Sequence, residues 1–252
     1  MSDLYWLTEE QMVRLRPFFP KSHGRPRVDD RCVLSRIILV NRNGLRWQYA
    51  PQEYGPQKTL CNCWKRWSAE GIFVRLRDGL AAGRADHQTI MIDATHLKAH
   101  RTASSLRAKK GNAGRLIGRT KGGMNTELHA VTDGSGRKLS FFMTAGPFSD
   151  YTGAAALLES LPAAKWLLAD RGYDVDWCRG GLEEKGIKPC IPGRKFRTTL
   201  VSYDRRKYRR RNRIETMFGR LKDWRRVATR YDRCPIVFFS AICLAATVMF
   251  WL

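Results

Sequence analysis

The chain has 252 residues, of which 43% are hydrophobic, so it is long and apolar enough to bury real cores in one or two domains. Its formal net charge of +23 and its pI near 10.3 exceed what solubility requires. Such a charge predicts a polyanionic partner, most simply nucleic acid, and an enzyme for small molecules would not need it.

Seven scattered cysteines, odd in number and without a paired C-x-x-C pattern, indicate neither a disulfide framework nor a zinc finger. Cys61 and Cys63 could suggest a metal clip, but residues two apart on a helix point in different directions. The N-terminal MSDLYWLTEE lacks the basic start and apolar stretch of a secretory signal. We therefore expect a cytoplasmic, nucleoid-associated protein.

Four short helices are predicted in residues 1–85. Thr8 and Gln11 form a capping-box pair at the start of the first helix. Asp29 caps a second helix, which stops at Gly44 by the usual glycine signal. The third helix is expected from Gly55-Pro56 to Gly71 and the fourth from Ile72 to Leu80.

The third helix has a buried face and a basic face. Leu60, Trp64 and Trp67 fall at i, i+4 and i+7 and are expected to face the core. The residues directed toward solvent or DNA are Lys58, Asn62, Lys65 and Arg66. Residues 1–85 are therefore interpreted as a helix-turn-helix-like DNA-binding domain, although a helical bundle with a charged face has the same pattern.

The segment HGRPRVDD, which precedes the second helix, contains Arg25 and Arg27. An extended basic arm of this kind can lie in a DNA minor groove, so both arginines are candidate DNA-binding residues. A linker between two helices is the simpler explanation of the segment, and the two interpretations are compatible.

Residues 86–252 are predicted to form an α/β domain with a central mixed sheet, because strands and helices alternate along the chain. The turn between the second and third strands is expected at Asp133-Gly134. Strands are expected at Ile90–Asp93, Glu127–Thr132, Lys138–Thr144, KWLLAD and IKPCI, and helices in YTGAAALLESL and VDWCRGGLEEKG.

Two further segments have distinctive compositions. The basic, glycine-rich stretch from Arg101 to Lys121 has no apolar period and is expected to be a long loop that contacts phosphates. The uncharged run from Pro235 to Leu252 is at the short limit for a membrane span. Because a basic, polar chain precedes it and Ser240 and Thr247 interrupt it, we expect a buried closing helix.

Two predicted strands end in an aspartate, Asp93 in IMIDATH and Asp170 in LLADRGYD. If these strands are neighbours, the two carboxylates meet at one edge of the sheet. Two such carboxylates repel each other unless a divalent cation neutralises them. Hard oxygen ligands with open positions suit Mg2+.

A basic stretch near the C-terminus, YRRRNRIETMFGRLKDWRR, contains Glu215, an acid that could join them. On one continuous helix, Tyr208, Arg211, Glu215 and Lys222 form one stripe. The adjoining face, expected to pack on the sheet, comprises Ile214, Met217, Phe218, Leu221 and Trp224. Glu215 is then a candidate third metal ligand, unless it merely pairs with Arg211 along its helix.

Three carboxylates that hold two ions about 3.5–4 Å apart could support in-line displacement at phosphorus without a nucleophilic side chain.

Other candidate site residues are weaker. His96 and His100 could bind zinc if that segment were helical, but no glutamate lies between them. Asp133 is interpreted as a turn residue and Asp174 as a helix cap.

The spacing from Tyr208 through Arg211 and Glu215 to Lys222 resembles the signature of DDE transposases of insertion-sequence families four and five. Asp93 in IDATHLKAH and Asp170 in ADRGYD match the two aspartate motifs of these enzymes. The order GRPRVDD, GLRW, YGPQKT and CWKRWS is similar to the N-terminal region of family-five (IS5) transposases. The resemblance covers nearly the full length.

The resemblance implies a ribonuclease H-like catalytic domain over residues 86–252 that cleaves and transfers DNA strands with Mg2+, for which Mn2+ can substitute. It implies that Asp93, Asp170 and Glu215 are catalytic and bind two metal ions. Tyr208, Arg211 and Lys222 would position the DNA end. The expected partners are double-stranded DNA, as terminal inverted repeats and target, and further copies of the chain on paired ends.

Two other functions remain open from the sequence. A catalytically inactive DNA-binding regulator derived from a transposase would bind the repeats without needing Mg2+. An RNA-binding basic protein would show no preference for duplex ends. In each case affinity should fall steeply with salt, because neutralised phosphates release counterions.

Overall fold

The computed structural model describes residues 4–20, 28–81, 88–105, 112–146, 158–159 and 161–252. The chain divides into two compact units. The helical unit comprises Met1–Leu80, His100–Ala103 and Leu221–Leu252, and the sheet unit comprises Ala81–Ala99 and Ser104–Arg220. The division into functional domains at residues 1–85 and 86–252 stays a prediction.

The helical unit contains the predicted N-terminal helices with their predicted signals. Thr8 and Gln11 form the capping box reciprocally, and the Asp29 side chain accepts a hydrogen bond from the Arg31 N–H. Gly44 ends the second helix with a left-handed φ of 71°, a conformation that favours glycine. The helices are α1 Glu9–Leu15, α2 Asp30–Asn43, α3 Gln57–Ala69, α4 Ile72–Ala81 and α5 Arg101–Ser104.

The C-terminal part of the helical unit ends in the long apolar helix. Its elements are α9 Arg225–Ala228, the short strand β7 Thr229–Arg230 and α10 Pro235–Trp251. Residues on all sides of α10 are buried, among them Phe238, Ile242 and Ala246, as predicted for a closing helix. In the part of the chain that the structure describes, no helix is long and apolar enough to span a bilayer.

The sheet unit is built on a mixed sheet of six strands among the described residues. In the sheet, β3 lies between β1 and the strands β2 and β4, and β1 pairs on its other side with β5, which pairs with β6. The pairings of β3 are antiparallel, whereas β1, β5 and β6 run parallel. The strands are β1 Thr89–Ala99, β2 Gly118–Thr120, β3 Gly123–Asp133, β4 Lys138–Ala145, β5 Trp166–Leu168 and β6 Lys188–Cys190.

This order of an antiparallel half and a parallel half is the ribonuclease H-like arrangement that the resemblance implied. The described helices of the sheet unit that follow the fifth strand are α6 Asp176–Glu184, α7 Arg205–Arg209 and α8 Asn212–Lys222. The last two residues of α8, Leu221 and Lys222, belong to the helical unit. Cys178 and Leu182 of α6 pack in a core with Ile90 and Ile92 of β1. The sheet and α6 therefore support the part of β1 that carries Asp93 and the end of β5, which Asp170 follows.

Several predictions about local structure need correction. The expected loop from Arg101 to Lys121 contains α5, a 3-10 turn and β2 among its described residues. The expected continuous helix through Tyr208 is broken by a turn at Arg210 and Arg211. The predicted helix YTGAAALLESL lies outside the described residues except for Leu158, Glu159 and Leu161.

Asp133 and Asp174 were both predicted to have structural roles, and the structure agrees with that prediction only in part. Asp133 is the turn residue expected: its Oδ1 accepts hydrogen bonds from the N–H groups of Ser135 and Arg137, both at 2.9 Å. Asp174 is not the cap of α6, which starts after Val175 without a side-chain cap. Asp174 is instead buried, and its carboxylate forms ion pairs with Arg179 and Arg197, which lie later in the chain.

Candidate active site

Asp93 lies on β1, and Asp170 follows the end of the adjacent strand β5. The prediction that a strand ends at Asp93 is wrong, because β1 continues to Ala99 and Asp93 is paired with Ala130 of β3. The parallel pairing of β1 with β5 aligns Met91 with Leu168, and Asp93 and Asp170 each follow two residues later. Asp93 Oδ1 accepts a hydrogen bond from the Ala94 N–H at 2.9 Å. Asp170 Oδ1 accepts one from the Gly172 N–H at 2.8 Å, which caps a 3-10 turn. Both carboxylates are therefore held by backbone donors.

Arg211 joins two of the three predicted acids. Its Nη1 donates to Asp93 Oδ2 at 2.8 Å, and its Nη2 forms an ion pair with Glu215 Oε1. The Arg211 and Asp93 side chains are each 16% exposed, whereas that of Glu215 is 53% exposed. The turn at Arg210 and Arg211, immediately before α8, places this guanidinium beside both strand and helix acids.

Asp93 and Arg211 each interact electrostatically with Asp170, and Arg211 also interacts with Glu215. Burial raises the pKa of Asp93 to about 6, the Arg211 charge and the Ala94 N–H oppose that rise, and the charge of Asp170 adds to it. Burial lowers the pKa of Arg211, but the charges of Asp93, Glu215 and Asp170 help to raise it overall. Arg211 thus contacts Asp93 and Glu215 directly, whereas Asp170 acts on Asp93 and Arg211 through its charge.

The donor chemistry of this site fits a divalent cation. All three candidate ligands are carboxylates, which hard cations prefer, and a cation would relieve the repulsion between Asp93 and Asp170. As the described side chains stand, no three acidic, histidine or cysteine groups are close enough to hold a metal ion. Arg211 is bonded to two of the carboxylates, so metal binding requires this guanidinium to release them.

Tyr208, a predicted DNA contact, lies beside Arg211 in this site. The Arg211 guanidinium lies 5.8 Å from the centre of the Tyr208 ring, which itself packs edge-on against Tyr203. Lys222 is exposed and belongs to the helical unit.

On α3, the side chains of Lys58, Lys65 and Arg66 are exposed, while Leu60, Trp64 and Trp67 are buried, as predicted. Arg25 and Arg27 lie outside the described residues.

The loop after Asp170 is fixed by a network that sequence reasoning missed. Asp174 Oδ2 accepts from the Arg194 N–H at 2.8 Å, and Asp174 Oδ1 pairs with Arg179 at 2.7 Å. The Arg194 side chain donates to the carbonyls of Arg171 and Gly172 at 3.1 and 2.8 Å. These contacts hold the turn on which Asp170 sits, and the only sequence signal was a second aspartate in DRGYD.

The predicted zinc alternatives gain no support. His96 is exposed on β1 and is not helical, so it does not form an i, i+4 pair with His100. The His100 ring instead stacks on Tyr231 with centroids 4.8 Å apart. Cys61 and Cys63 lie on α3 as expected, and no described His, Cys, Asp or Glu group of three could bind metal.

A ribonuclease H-like sheet with an aspartate on one strand, a second aspartate after the adjacent parallel strand and a glutamate on a following helix is the arrangement of the DDE class of nucleic-acid enzymes. Residues 84–251 match the family described as "Transposase DDE domain". Residues 7–77 match the family described as "Putative transposase of IS4/5 family". The chain belongs to the DDE transposase family, and enzymes of this family generally use divalent metal ions.

Relatives carry consistent descriptions. The chain is 34% identical over 131 residues to a putative transposase for the insertion sequence element IS6501 of Brucella ovis, covering 51% of this chain and 99% of the relative. It is 28% identical over 156 residues to a putative transposase for IS402 of Burkholderia cepacia, covering 54% and 72%.

Among solved structures, a pre-cleavage Mos1 transpososome aligns at 11% identity, with a TM-score of 0.28 over 94% of this chain and 83% of that one.

Proposed function

We propose that this protein is a DNA transposase that binds the terminal inverted repeats of an insertion sequence, cleaves the ends and transfers the freed strand to target DNA. The observation that supports the proposal is the contact of Arg211 with both Asp93 and Glu215, beside the parallel strand β5 that Asp170 follows. The net charge of +23 supports a polyanionic substrate.

Asp93, Asp170 and Glu215 would hold Mg2+, or Mn2+ in its place, as two ions. When bound, these ions supply charge stabilisation and an activated oxygen for in-line displacement at phosphorus. The exposed Glu215 is the ligand best able to reorient, since only its ion pair with Arg211 restrains its carboxylate. Asp93 must be ionised to serve as a ligand, which its raised pKa makes dependent on pH.

Arg211 has two roles in this proposal. Before the DNA end arrives, its guanidinium neutralises the Asp93 and Glu215 carboxylates. A phosphate of the DNA end offers the same guanidinium a bidentate partner, which would release both acids. Tyr208 beside it and Lys222 on α8 would complete the contacts to the DNA backbone.

The helical unit would recognise the inverted repeat. The exposed Lys58, Lys65 and Arg66 on α3 lie opposite its buried tryptophans, so one face of this helix is available to a duplex. Arg25 and Arg27 would contribute a basic arm to the same duplex. Because two ends of the element must be joined to one target, the active form would be a homo-oligomer on paired ends.

Cleavage of inverted-repeat DNA by the full chain with Mg2+ tests this function. Glu215→Gln keeps the size of the side chain and removes its charge, and it should lower cleavage by about 100-fold or more, the usual cost of losing an essential electrostatic group. The matched control is Glu184→Gln on α6, another exposed glutamate in the same unit, which should cleave normally.

Full cleavage by the Glu215→Gln variant would refute the metal-ligand assignment. A wild-type chain that binds the repeats tightly, yet cuts nothing with either Mg2+ or Mn2+, would be the DNA-binding regulator rather than a transposase. Equal affinity for duplex RNA and for repeat-bearing DNA would instead favour a general nucleic-acid-binding protein.

A further inference from the structure

The helical unit contains a cavity apart from the carboxylate site. Its volume is about 520 Å3, which is in the range of small-molecule and nucleotide pockets. Helix α3 contributes Trp64 and Lys65 to its lining, and the segment after α9 contributes further lining residues. The lining residues that matter here are Trp47, Trp64, Lys65, Arg226, Tyr231 and Asp232.

The wall of this cavity carries hydrogen-bonding groups that the described residues do not use. Arg226 is only 9% exposed, and its Nε and Nη1 have no hydrogen-bond partner in the described structure. The same holds for Asp232 Oδ2 and the Trp64 Nε1. Buried polar groups are normally satisfied, so a cluster of unused donors beside an unused acceptor indicates a ligand with complementary groups.

Aromatic rings surround these polar groups. The Trp47 and Trp64 rings have centroids 6.3 Å apart, and the Arg226 guanidinium lies 5.8 Å from the Trp47 ring and 5.7 Å from the Tyr231 ring. A ligand for this wall therefore combines a flat, stackable body with a polar edge. Nucleobases have both properties, and stacking on aromatic side chains is how proteins commonly bind unpaired bases.

We propose that this cavity binds one unstacked purine base, and that guanine fits it best. Guanine presents acceptors at O6 and N7, which suit a guanidinium such as that of Arg226. Its N1–H and N2 amino group are adjacent donors, which suit the carboxylate of Asp232. Adenine has no pair of adjacent donors on that edge, so a carboxylate favours guanine.

Basic side chains near the cavity would bind the phosphate group of a nucleotide that carries such a base. Lys65, an exposed residue of the predicted DNA-binding helix, lines the cavity together with Arg233. Arg233 Nε donates to the Thr102 carbonyl at 3.1 Å, which orients its side chain. The base could come from a position extruded from bound DNA or from a free mononucleotide. The first source rests on the proposed function, whereas the chemistry of the cavity does not.

The test compares binding of the full chain to labelled duplexes by fluorescence anisotropy. One duplex is fully paired, and four others each carry a single unpaired G, A, C or T. The duplex with the unpaired guanine should bind about tenfold more tightly than the paired one, the size of effect expected for one stacked and hydrogen-bonded base.

Arg226→Gln should abolish this preference, whereas Arg225→Gln should keep it. Arg225 is the exposed neighbour on the same helix, so the control removes the same charge outside the cavity. If Arg226→Gln fails to fold, the isosteric Asp232→Asn is tested in its place. This substitution should reduce the preference for guanine over adenine to about twofold or less.

Titration with GMP and AMP in the absence of DNA separates the two sources. Binding of GMP that Asp232→Asn weakens shows that the cavity takes a free mononucleotide. A preference confined to the duplex with the unpaired guanine assigns the base to DNA. Equal binding of paired and unpaired duplexes, together with no binding of GMP, overturns the proposal. Loss of cleavage activity alone leaves these comparisons unaffected, so the failure of the proposed transposase function is distinguishable.

Discussion

Arg211 Nη1 lies 2.8 Å from Asp93 Oδ2, and the same guanidinium is ion-paired with Glu215. A cation of the chain itself thus links the strand acid to the helix acid. This contact depends on the turn at Arg210 and Arg211. On an uninterrupted helix, the Arg211 side chain would lie beside Glu215 on the same face and would not reach Asp93.

Arg211→Met should destabilise the metal-free protein by about 1.5–3 kcal/mol at pH 7.5, the usual contribution of a hydrogen bond between charged groups. The loss should be smaller at pH 5, because Asp93 is then largely protonated, given its pKa of about 6. Urea unfolding in EDTA at both pH values measures the difference.

A double-mutant cycle with Asp93→Asn isolates the pair from the other effects of the substitution. The coupling energy between the two positions should be clearly favourable at pH 7.5. An equal loss of stability at both pH values, with no coupling, would show that Arg211 contributes only packing.

Asp93→Asn should stabilise the metal-free protein relative to wild type as the pH rises. Burial raises the pKa of Asp93 from 3.8 to about 6 in the folded state. A raised carboxyl pKa contributes stability below the unfolded pKa, and that stability is lost as the pH rises through the folded pKa.

The wild type should therefore lose up to about 3 kcal/mol relative to Asp93→Asn between about pH 4 and pH 7, and the substitution removes this dependence. The measurement is the free energy of unfolding of both proteins across that range in EDTA. Parallel curves for the two proteins would contradict the raised pKa.

Asp174→Asn should cost about 3–5 kcal/mol, because it leaves the partners of a buried charge without their counter-charge. Asp174 is 2% exposed and accepts from Arg179, Arg197 and the Arg194 N–H. Although burial raises the pKa of Asp174, these hydrogen bonds and charges lower it overall. The stability it contributes is therefore present above its unfolded pKa and is lost as the pH falls toward the lowered folded value.

The control for this prediction is Asp176→Asn, since Asp176 also pairs with Arg197 but its side chain is 87% exposed. Thermal unfolding of the control should be close to that of the wild type, because exposed ion pairs contribute little. Similar melting temperatures for the two variants would show that the Asp174 network does not hold the Asp170 turn.

The strand that carries Asp93, the strand before Asp170 and the apolar face of α8 could be predicted from the sequence, since they depend on local periodicity, but the continuation of β1 beyond Asp93 to Ala99 was not predicted. Ile214, Met217 and Phe218 are buried as the 3.6-residue period requires. The turn at Arg211 could not be predicted, because arginine-rich segments have good helix propensity on both sides of it. Only the contact with Asp93 on a distant strand favours the break.

The buried Asp174 and the cavity at Arg226 were missed for a related reason. Charged residues are normally exposed, so a pattern of single charges gives no sign that tertiary packing will enclose them. Asp174 is satisfied by arginines 5 to 23 residues away, and Arg226 lines a cavity with residues from the N-terminal helices. Such convergence is a property of the fold and not of any local motif.

Gly136→Ala should destabilise the protein and lower cleavage activity, because the hairpin between β3 and β4 supports the start of α8. Gly136 has a φ of 81°, and a Cβ there would lie 3.0 Å from the Arg213 carbonyl oxygen. Arg213 in turn donates through Nη1 to the Gly134 carbonyl. Alanine must therefore adopt a left-handed conformation, at a cost of about 1–2 kcal/mol, and push against α8 near Glu215.

Gly219→Ala, a substitution within α8 itself, is the matched control for Gly136→Ala. Nothing lies within 4 Å of a Cβ at this position, and glycine in a helix interior is about 0.5–1 kcal/mol less stable than alanine. Gly219→Ala should therefore raise the free energy of unfolding and leave cleavage unchanged, while Gly136→Ala lowers both. Unfolding in urea together with the cleavage assay measures the pair, and a Gly136→Ala protein with wild-type stability and activity would show that the hairpin does not position Glu215.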